Sequence, residues 1–232
     1  MKLALVGHGR MGQAIARLAA ERGHIVVATV NGQDQRDGGT LTVERLAGAD
    51  VVLEFTRPEA AVGNLVALAR LGARVVTGTT GWTESLPEVR RAFEASGGAL
   101  LHSANFSPGV QLFLRVAEDL ARRFAGRPEF AAYVTDIHHA AKRDAPSGTA
   151  RLLQERLHRG DAGRDFPISS TRAGFAAGTH EVVYDTEFET IRLTHESRSR
   201  DVFAAGALTA AEWLQGRRGV FTLDQMLFGE DA

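Results

Sequence analysis

Residues 138–150 (HHAAKRDAPSGTA) combine residue types that could bind an anion and protonate it. The segment contains Lys142, one of only two lysines among the 27 basic Lys and Arg residues of the chain. Lysine is a compact point charge that suits a small anion in a tight pocket, whereas arginine presents a wide, flat fork. His138 and His139 precede it, and histidine is the natural proton donor near neutral pH. The pattern predicts an anion-binding lysine beside a general acid, which could be either histidine.

The end of the same segment has the composition of a helix start. Residues 144–149 (DAPSGT) place Pro and small polar residues before an apolar-periodic stretch. The free N–H groups at Gly148 and Thr149, together with the hydroxyls of Ser147 and Thr149, would form an anion site. Together with the charge of Lys142, these groups would form a binding site for a carboxylate.

A second carboxylate on the ligand could be met by His139 or by the basic stretch at 195–200, which ends in Arg200. We expect no metal at the pair His138 and His139. Adjacent positions on a strand point to opposite faces, and no clear third ligand is spaced nearby.

A second chemical motif lies near the start of the chain, where residues 7–12 read GHGRMG. This fits G-x-G-x-x-G between a predicted strand and a predicted helix, the context that indicates dinucleotide binding. Gly7 would permit the tight turn, Gly9 the approach of a pyrophosphate, and Gly12 the close packing of helix and strand.

The second predicted strand ends in Asn31, where such sites usually carry an acid that binds the ribose hydroxyls. Asparagine can bind a hydroxyl and does not repel a 2′-phosphate. We therefore expect NADPH to be accepted at least as well as NADH, with Arg10 or Arg36 as a phosphate contact. The acids nearest to Asn31, Asp34 and Asp37, flank Arg36 in a predicted loop.

Three further loops follow predicted strands, and ligands collect at the carboxyl ends of strands in an open parallel sheet. They are Phe55-Thr56, Gly78-Thr79-Thr80-Gly81 and Ala104-Asn105-Phe106-Ser107. Their small residues and hydroxyls suit the ribose and nicotinamide of a cofactor. A turn that binds no ligand explains the presence of Thr79 and Thr80 equally well.

The predicted elements give an α/β fold followed by an α+β fold. Strands near 3–6, 25–30, 51–55, 74–77 and 99–101 alternate with helices near 11–22, 58–71 and 85–96, which predicts a doubly wound parallel sheet. Beyond it, the pattern predicts helices near 110–124, 147–158 and 201–214, a strand near 133–137 and a hairpin of 181–185 with 189–194. We assign residues 1–105 to a dinucleotide-binding domain and 106–204 to a second domain with an open, largely antiparallel sheet. A tail at about 205–232 is expected to return to the first domain.

Composition excludes several classes of protein. The formal net charge of −1 predicts no general attraction to nucleic acid or anionic lipid. The chain has no cysteine, so disulfides, thiolate nucleophiles and Cys-based metal sites are excluded. No apolar stretch approaches the length of a membrane span, and we expect a cytoplasmic protein.

With these motifs in place, the chain resembles the 4-hydroxy-tetrahydrodipicolinate reductase family, also called dihydrodipicolinate reductase. The matching stretches are VGHGRMG, EFT, GTTG, SANFSPGV, HHAAKRDAPSGTA and SRDVFAAGALTAAEWL. The resemblance implies a Rossmann-type first domain, a second domain whose open sheet builds a homotetramer, and reduction of a cyclic dicarboxylate by NADPH or NADH in lysine and diaminopimelate biosynthesis.

The resemblance also implies roles for individual residues. His138 would be the general acid, and Lys142 would bind substrate with His139, Gly148 and Thr149. Arg200 and Phe203 would close over cofactor or substrate. The cofactor site would be lined by Gly7, Arg10, Met11, Phe55, Thr56, Gly78, Thr80, Ala104, Asn105 and Phe106.

The chain departs from the family pattern in three places. Its first glycine loop is one residue shorter, Asn31 replaces an acid, and Asp136 stands where a glutamate usually precedes the histidine pair. Two alternative functions remain at this stage: a reductase of another dicarboxylate or amino acid, and a dinucleotide-sensing module without catalysis. The sensing module would not need the histidines and lysine of 138–142.

Overall fold

The computed structural model describes residues 1–31 and 41–229. Asp34, Arg36 and Asp37 lie outside the described residues. Contacts divide the chain into two units, one formed by 1–107 with 201–232 and the other by 108–200. Among the described residues, no helix is both long enough and apolar enough to cross a lipid bilayer.

The first unit is built on a six-stranded parallel sheet in the order β10-β5-β4-β3-β1-β2. Its strands are β1 (Lys2–Val6), β2 (Ile25–Val30), β3 (Val51–Glu54), β4 (Arg74–Thr77), β5 (Ala99–His102) and β10 (Gly219–Thr222). Its helices are α1 (Arg10–Glu21), α2 (Pro58–Arg70), α3 (Leu86–Ser96), α6 (Asp201–Leu214) and α7 (Leu223–Phe228).

Side chains along the buried strands alternate between the two faces of this sheet, and helices cover both faces. Leu3 and Leu5 belong to one apolar cluster, with α1 and α6, whereas Ala4 and Val6 belong to another, with α2 and α3. Strands buried on both faces read as nearly continuous apolar runs, as Val51–Glu54 does. The predicted doubly wound parallel sheet is confirmed.

The second unit has a four-stranded sheet in the order β7-β6-β8-β9. Its strands are β6 (Ala131–His138), β7 (Ile168–Arg172), β8 (Thr179–Asp185) and β9 (Thr190–Glu196), and its helices are α4 (Pro108–Phe124) and α5 (Gly148–Gly160). Only β6 and β7 pair in parallel, so the sheet is mixed and largely antiparallel, as predicted. Leu114 of α4 and Leu157 of α5 pack in one apolar cluster with Val134 and Val182 of the sheet.

The structure adds three details to the sequence prediction. The prediction missed β7, because its sequence, ISSTR, lacks the apolar alternation of a half-buried strand. The tail expected to return does so as β10, which pairs with β5 at the edge of the first sheet. The unit boundary lies at the start of α6 rather than at 204–205, because the whole of this helix packs in the core of the first unit.

Candidate active site

The glycine loop after β1 places each predicted glycine in a different environment. Gly7 has a φ of 102°, and a Cβ there would overlap the carbonyl oxygen of Phe55. A Cβ on Gly12 would overlap the carbonyl oxygen of Gly7, which explains the close packing of α1 on β1. A Cβ on Gly9 would meet no atom within 4 Å. Packing therefore demands glycine at 7 and 12, whereas Gly9 leaves open space beside the helix start.

The start of α1 has the properties of an anion site. Gly9 is its N-cap and provides no side-chain hydrogen bond, and the first turn contains no acidic residue. The first N–H groups of such a helix attract negative charge. Arg10 is exposed in that first turn, whereas the partly buried side chain of Met11 packs against the core.

A cavity of about 200 Å³ lies beside this loop, where β1, β2 and β3 end. The strand order reverses between β1 and β3, which is where ligands bind in open α/β sheets. The cavity is lined by Val6, Gly7, Gly9, Val30, Asn31, Phe55, Thr56, Arg57 and Ala60. The structure thus brings five of the predicted cofactor residues together. Sequence reasoning missed Arg57 and Ala60, although their position directly after Thr56, around the start of α2, was a usable signal.

A buried carboxylate fastens the loops that follow β3 and β4. Glu54 is fully buried and accepts hydrogen bonds from the hydroxyls of Thr77, at 2.6 Å, and Thr56. The hydroxyl of Thr79 accepts from the backbone N–H of Thr56 at 2.8 Å. Sequence reasoning did not select Glu54, although an acid at the end of an apolar strand is itself a signal.

The remaining predicted cofactor residues divide between surface and core. Thr80 and Ala104 are exposed, and Asn105 uses its side-chain oxygen to accept from the N–H of Ser107. Phe106 is only 2% exposed and its ring lies 5.8 Å from that of Phe55. Phe106 therefore supports Phe55 from within the core instead of offering an open surface to a cofactor.

Gly78 supports Phe55 as well, because a Cβ at this position would overlap the Phe55 ring. Phe203 is half-buried on α6.

In the second unit, strand alternation brings Asp136 and His138 to the same buried face of β6. Asp136 is paired with His180 of β8 and with Ser170 of β7, and His138 is paired with Arg172 of β7. Asp136 is fully buried, and His138 and His180 are 7% and 5% exposed. The strand register thus assembles a polar cluster from three strands.

Asp136 is the centre of this cluster. Its Oδ2 accepts from Arg172 Nη2 at 2.7 Å, from the backbone N–H of Ser147 at 2.9 Å and from Ser170 Oγ at 3.0 Å. Burial alone would raise the pKa of Asp136, but these hydrogen bonds outweigh it and hold the pKa at about 2. The carboxyl group is therefore ionised at neutral pH.

His138 lies against this carboxylate, with Nδ1 2.9 Å from Asp136 Oδ1. Burial lowers the pKa of His138, Asp136 opposes that change, and the charges of Lys142 and Arg172 lower the pKa further. Gly178 packs against the other side of the ring, where a Cβ would stand 2.9 Å from Nε2. Glycine at 178 thus keeps space beside the nitrogen that faces away from Asp136.

The loop between β6 and α5 carries the other predicted substrate residues. Lys142 forms a 2.7 Å ion pair with Asp144, and its side chain is 23% exposed. Arg172 Nη2 donates to the carbonyl oxygen of Asp144 at 2.7 Å, which ties this loop to the sheet. Arg200 and His139 also come together, with Arg200 Nη2 3.1 Å from His139 Nε2.

Ser147 has a different task from the one expected of it. It is 2% exposed, its hydroxyl caps α5 by accepting from the N–H of Ala150 at 3.1 Å, and the same hydroxyl lies 3.1 Å from His180 Nε2. The exposed Gly148 and the half-buried Thr149 are therefore the part of this helix start that can meet a ligand. Neither His180 nor Arg172 was predicted, because only the strand register brings them to Asp136.

Within the described residues, one group of potential metal ligands is found: Asp136, His138 and His180, with ligand atoms within 4.8 Å of one another. It does not include His139, in keeping with the opposite faces expected for the histidine pair. Asp136 is already paired with Arg172, and Ser147 lies at hydrogen-bond distance from His180 Nε2. We therefore interpret the group as a hydrogen-bonding cluster.

Comparison with known families assigns the chain. Residues 1–106 match the N-terminal model of dihydrodipicolinate reductase, and residues 109–227 match its C-terminal model. The chain belongs to the dihydrodipicolinate reductase family. The boundary between these two family models falls at the first boundary between the structural units, and the C-terminal model continues into residues 201–227, which belong to the first unit.

Relatives in this family match over almost their whole length. The 4-hydroxy-tetrahydrodipicolinate reductase of Christiangramia forsetii is 33% identical over 98% of both chains. That of Natronomonas pharaonis is 37% identical over 94% of this chain and 96% of its own. The dipicolinate-bound dihydrodipicolinate reductase from Paenisporosarcina sp. TG-14 is 20% identical and superposes with a TM-score of 0.82 over 98% of this chain and 99% of its own, which shows a shared fold.

Proposed function

We propose that this protein reduces 4-hydroxy-tetrahydrodipicolinate to tetrahydrodipicolinate with NADPH or NADH, in lysine and diaminopimelate biosynthesis. Relatives at 33% and 37% identity are named for this activity. The observation that carries the proposal is the arrangement in the second unit. There, a histidine paired with a buried carboxylate lies within electrostatic reach of Lys142.

The substrate is a cyclic dicarboxylate, and the second unit offers complementary groups for it. Lys142 and the N–H groups at Gly148 and Thr149 would receive one carboxylate, as a lysine and an open helix start do for small anions. Arg200 and His139 would receive the other. Asp144 holds the ammonium of Lys142 in this structure, so a substrate carboxylate would share or replace that ion pair.

The proton would come from His138. Its Nδ1 faces Asp136, so Nε2 is the nitrogen able to reach a substrate. The neighbouring carboxylate favours the protonated ring, and burial together with Lys142 and Arg172 makes the ring release its proton more readily. The net effect lowers the pKa of His138 and makes the protonated ring a stronger acid, as proton donation to a substrate requires.

The first unit is suited to a nicotinamide dinucleotide, which supplies the hydride when bound. Gly9 leaves open space at the uncapped start of α1, and the cavity beside it adjoins the loop fastened by Glu54. Asn31 and Arg57 line that cavity, whose described lining contains no acid. We therefore expect NADPH to be used at least as well as NADH, with Arg10 or Arg57 near the 2′-phosphate.

We further propose a homotetramer and a cytoplasmic location. The second unit exposes Phe175 completely and Phe188 at 90%, side chains that subunit contacts would cover. Light scattering of the purified protein would measure the subunit number.

The proposed function is tested by mixing the protein with NADPH or NADH and freshly made cyclic substrate, and following the loss of nicotinamide absorbance. We expect turnover with both cofactors and a kcat/KM for NADPH at least equal to that for NADH. His138→Gln should lower kcat by roughly 10²–10⁴-fold, the usual contribution of a general acid. No turnover with the native chain would refute the proposed function, and an unchanged kcat in the variant would refute the role of His138.

A further inference from the structure

The carboxylate of Asp136 has two oxygens in different situations. Oδ2 accepts three hydrogen bonds, whereas Oδ1 lies 2.9 Å from His138 Nδ1. Among the described residues, no other group forms a hydrogen bond with Oδ1 or with His138 Nδ1, and both atoms are shielded from water. His180 Nε2 lies farther from Oδ1, at 3.5 Å. Unpaired buried polar atoms are costly, so each is the natural partner of the other.

We infer that Asp136 is a positioning residue: its Oδ1 takes the Nδ1 proton of His138, fixes the tautomer and orientation of the ring, and leaves Nε2 to protonate the substrate. The part of this inference that concerns the substrate rests on the proposed function. The part that concerns the tautomer of His138 does not.

The three donors at Oδ2 explain how Asp136 can orient another group. Arg172 Nη2 and the hydroxyl of Ser170, both on β7, and the N–H of Ser147, at the start of α5, donate to the same oxygen, which prevents rotation of the carboxylate. Because Ser147 caps α5, one carboxylate holds both the proposed proton donor and the proposed anion-binding helix start. This fixes the distance between the two parts of the site.

The charges that face His138 come from each element packed around it. They are Asp136 on its own strand, Arg172 on β7, His180 on β8 and Lys142 in the loop before α5. Asp136 is the one group among them that favours the protonated form of His138. After proton transfer, the ring would keep its remaining proton on Nδ1, facing Asp136.

Substitution by asparagine gives a sharp test, because an amide has one oxygen and one NH2 group. The Oδ2 position receives donors from Arg172 and Ser147, so the amide oxygen must occupy it. The NH2 group of the Asp136→Asn variant would then face His138 Nδ1 and donate to it. The variant should therefore move the proton of the neutral ring from Nδ1 to Nε2.

The tautomer is read directly by ¹⁵N–¹H NMR of the histidine side chains in the ligand-free protein, with His138→Gln used to assign the signals. We expect an Nδ1-protonated His138 in the native chain and in Asp136→Glu, and an Nε2-protonated ring in Asp136→Asn. An Nε2-protonated His138 in the native chain would overturn the inference, whether or not any variant folds. This measurement needs no substrate, so it is independent of the proposed function.

The consequence for catalysis is read from the pH profile. Burial lowers the pKa of His138 and Asp136 counteracts that, so the asparagine variant should have a His138 with a lower pKa than the native chain. As the pH rises, the variant should therefore lose activity at a lower pH than the native chain does. We expect its kcat to fall by roughly 10²-fold or more, with a smaller change in the KM for substrate. Asp136→Glu should recover part of kcat.

Thr171→Val is the matched control. Thr171 is the exposed neighbour of Ser170 on β7 and is paired with Ile137 instead of Asp136, so the substitution leaves the contacts of both Asp136 oxygens in place. It should keep the native tautomer, kcat and pH profile. A loss of kcat in Asp136→Asn without a change in the tautomer of His138 and without a shift in the pH profile would show that Asp136 is merely structural.

Discussion

At the scale of single residues, the ion pair of Lys142 and Asp144 shows how tightly the proposed anion site is built. The two charged atoms are 2.7 Å apart, and the carbonyl oxygen of Asp144 is held by Arg172. The position of the ammonium group is therefore set by a loop that is itself bound to the sheet. A side chain of another shape cannot put its charge at the same point without moving that loop.

Lys142→Ala and Lys142→Arg should both lower kcat/KM severely. The alanine variant loses the charge, and the arginine variant misplaces it, because the guanidinium group is wider and flatter than an ammonium group. A misplacement of about 1 Å costs roughly 10²-fold in rate, and we expect a loss of that order for Lys142→Arg in steady-state kinetics. The exposed neighbour Arg143 provides the control, since Arg143→Lys should leave kcat/KM unchanged. Native kinetics in Lys142→Arg would contradict the argument.

At the scale of elements, two glycines at the start of α1 differ in their surroundings: Gly12 is tightly packed, whereas Gly9 leaves open space. Gly12 is required because its neighbour is the backbone of Gly7, whereas Gly9 has no neighbour within 4 Å. Both glycines belong to one motif, yet substitution should affect different properties of the protein.

Gly12→Ala should destabilise the fold by about 1–3 kcal/mol, the usual cost of overpacking, because the new methyl group meets the Gly7 carbonyl. Gly9→Ala should lower the thermal midpoint less than Gly12→Ala, because it meets no atom and only replaces the N-cap of α1. It should raise the Kd for NADPH about tenfold or more, about 1.4 kcal/mol, if a pyrophosphate approaches the helix start there. Thermal unfolding and calorimetric titration measure the two effects. Native NADPH affinity in Gly9→Ala would place the pyrophosphate elsewhere.

At the scale of the whole molecule, the buried polar cluster makes the second unit sensitive to acid. Burial, together with the charge of His138, lowers the pKa of His180 to about 4 from its ordinary value of 6.5. Below pH 6.5 the unfolded chain binds a proton that the folded chain does not bind until about pH 4. Stability is therefore complete above pH 6.5 and falls as the pH approaches 4, by about 3 kcal/mol for this residue.

Protonation of Asp136 lowers the stability of the second unit further at lower pH. Its pKa of about 2 lies below the ordinary 3.8, so its contribution is complete above pH 3.8 and disappears as the pH falls towards 2. Acid should thus weaken the second unit in two steps. In the first, the buried histidines His180, His138 and His195, whose pKa values are all lowered by burial, take up protons; in the second, Asp136 does.

The aromatic residues allow the two units to be followed separately during acid unfolding. Both tryptophans, Trp82 and Trp213, lie in the first unit, and both tyrosines, Tyr133 and Tyr184, lie in the second. As the pH falls from 6.5 to 4, the tyrosine near-UV circular dichroism should change as His180 takes up its proton. Tryptophan fluorescence reports separately on the first unit, where burial also lowers the pKa of His102 and the ring of His102 contacts that of Trp82.

His180→Gln should reduce this change in the tyrosine signal, whereas His8→Gln, at an exposed position in the first unit, should not affect it. An equal change in the native chain and in His180→Gln would contradict the role of His180.

Local patterns in the sequence were sufficient to predict most of the architecture. Apolar runs and glycine ends predicted β1, β2, β3, β4 and β5 with the helices between them, because these elements follow from periodicity and turn chemistry. The strand β7 was missed because its polar sequence forms a strand only by pairing with β6. In the same way, Gly7 and Asn31 were predictable as the ends of strands, whereas Arg57 was identified only by the cavity it lines.

The sequence by itself determined which residues we propose for the chemistry: His138, Lys142 and the helix start at Gly148, since these lie within one short segment and their types indicate their chemistry. Tertiary structure alone decided what surrounds them. His180 and Arg172 meet Asp136 through strand pairing between positions more than 30 residues apart, and Ser147 turns from a ligand contact into a buried cap. The physical reason is that the tautomer and pKa of a buried histidine depend on partners brought to it by the sheet register, which no local spacing specifies.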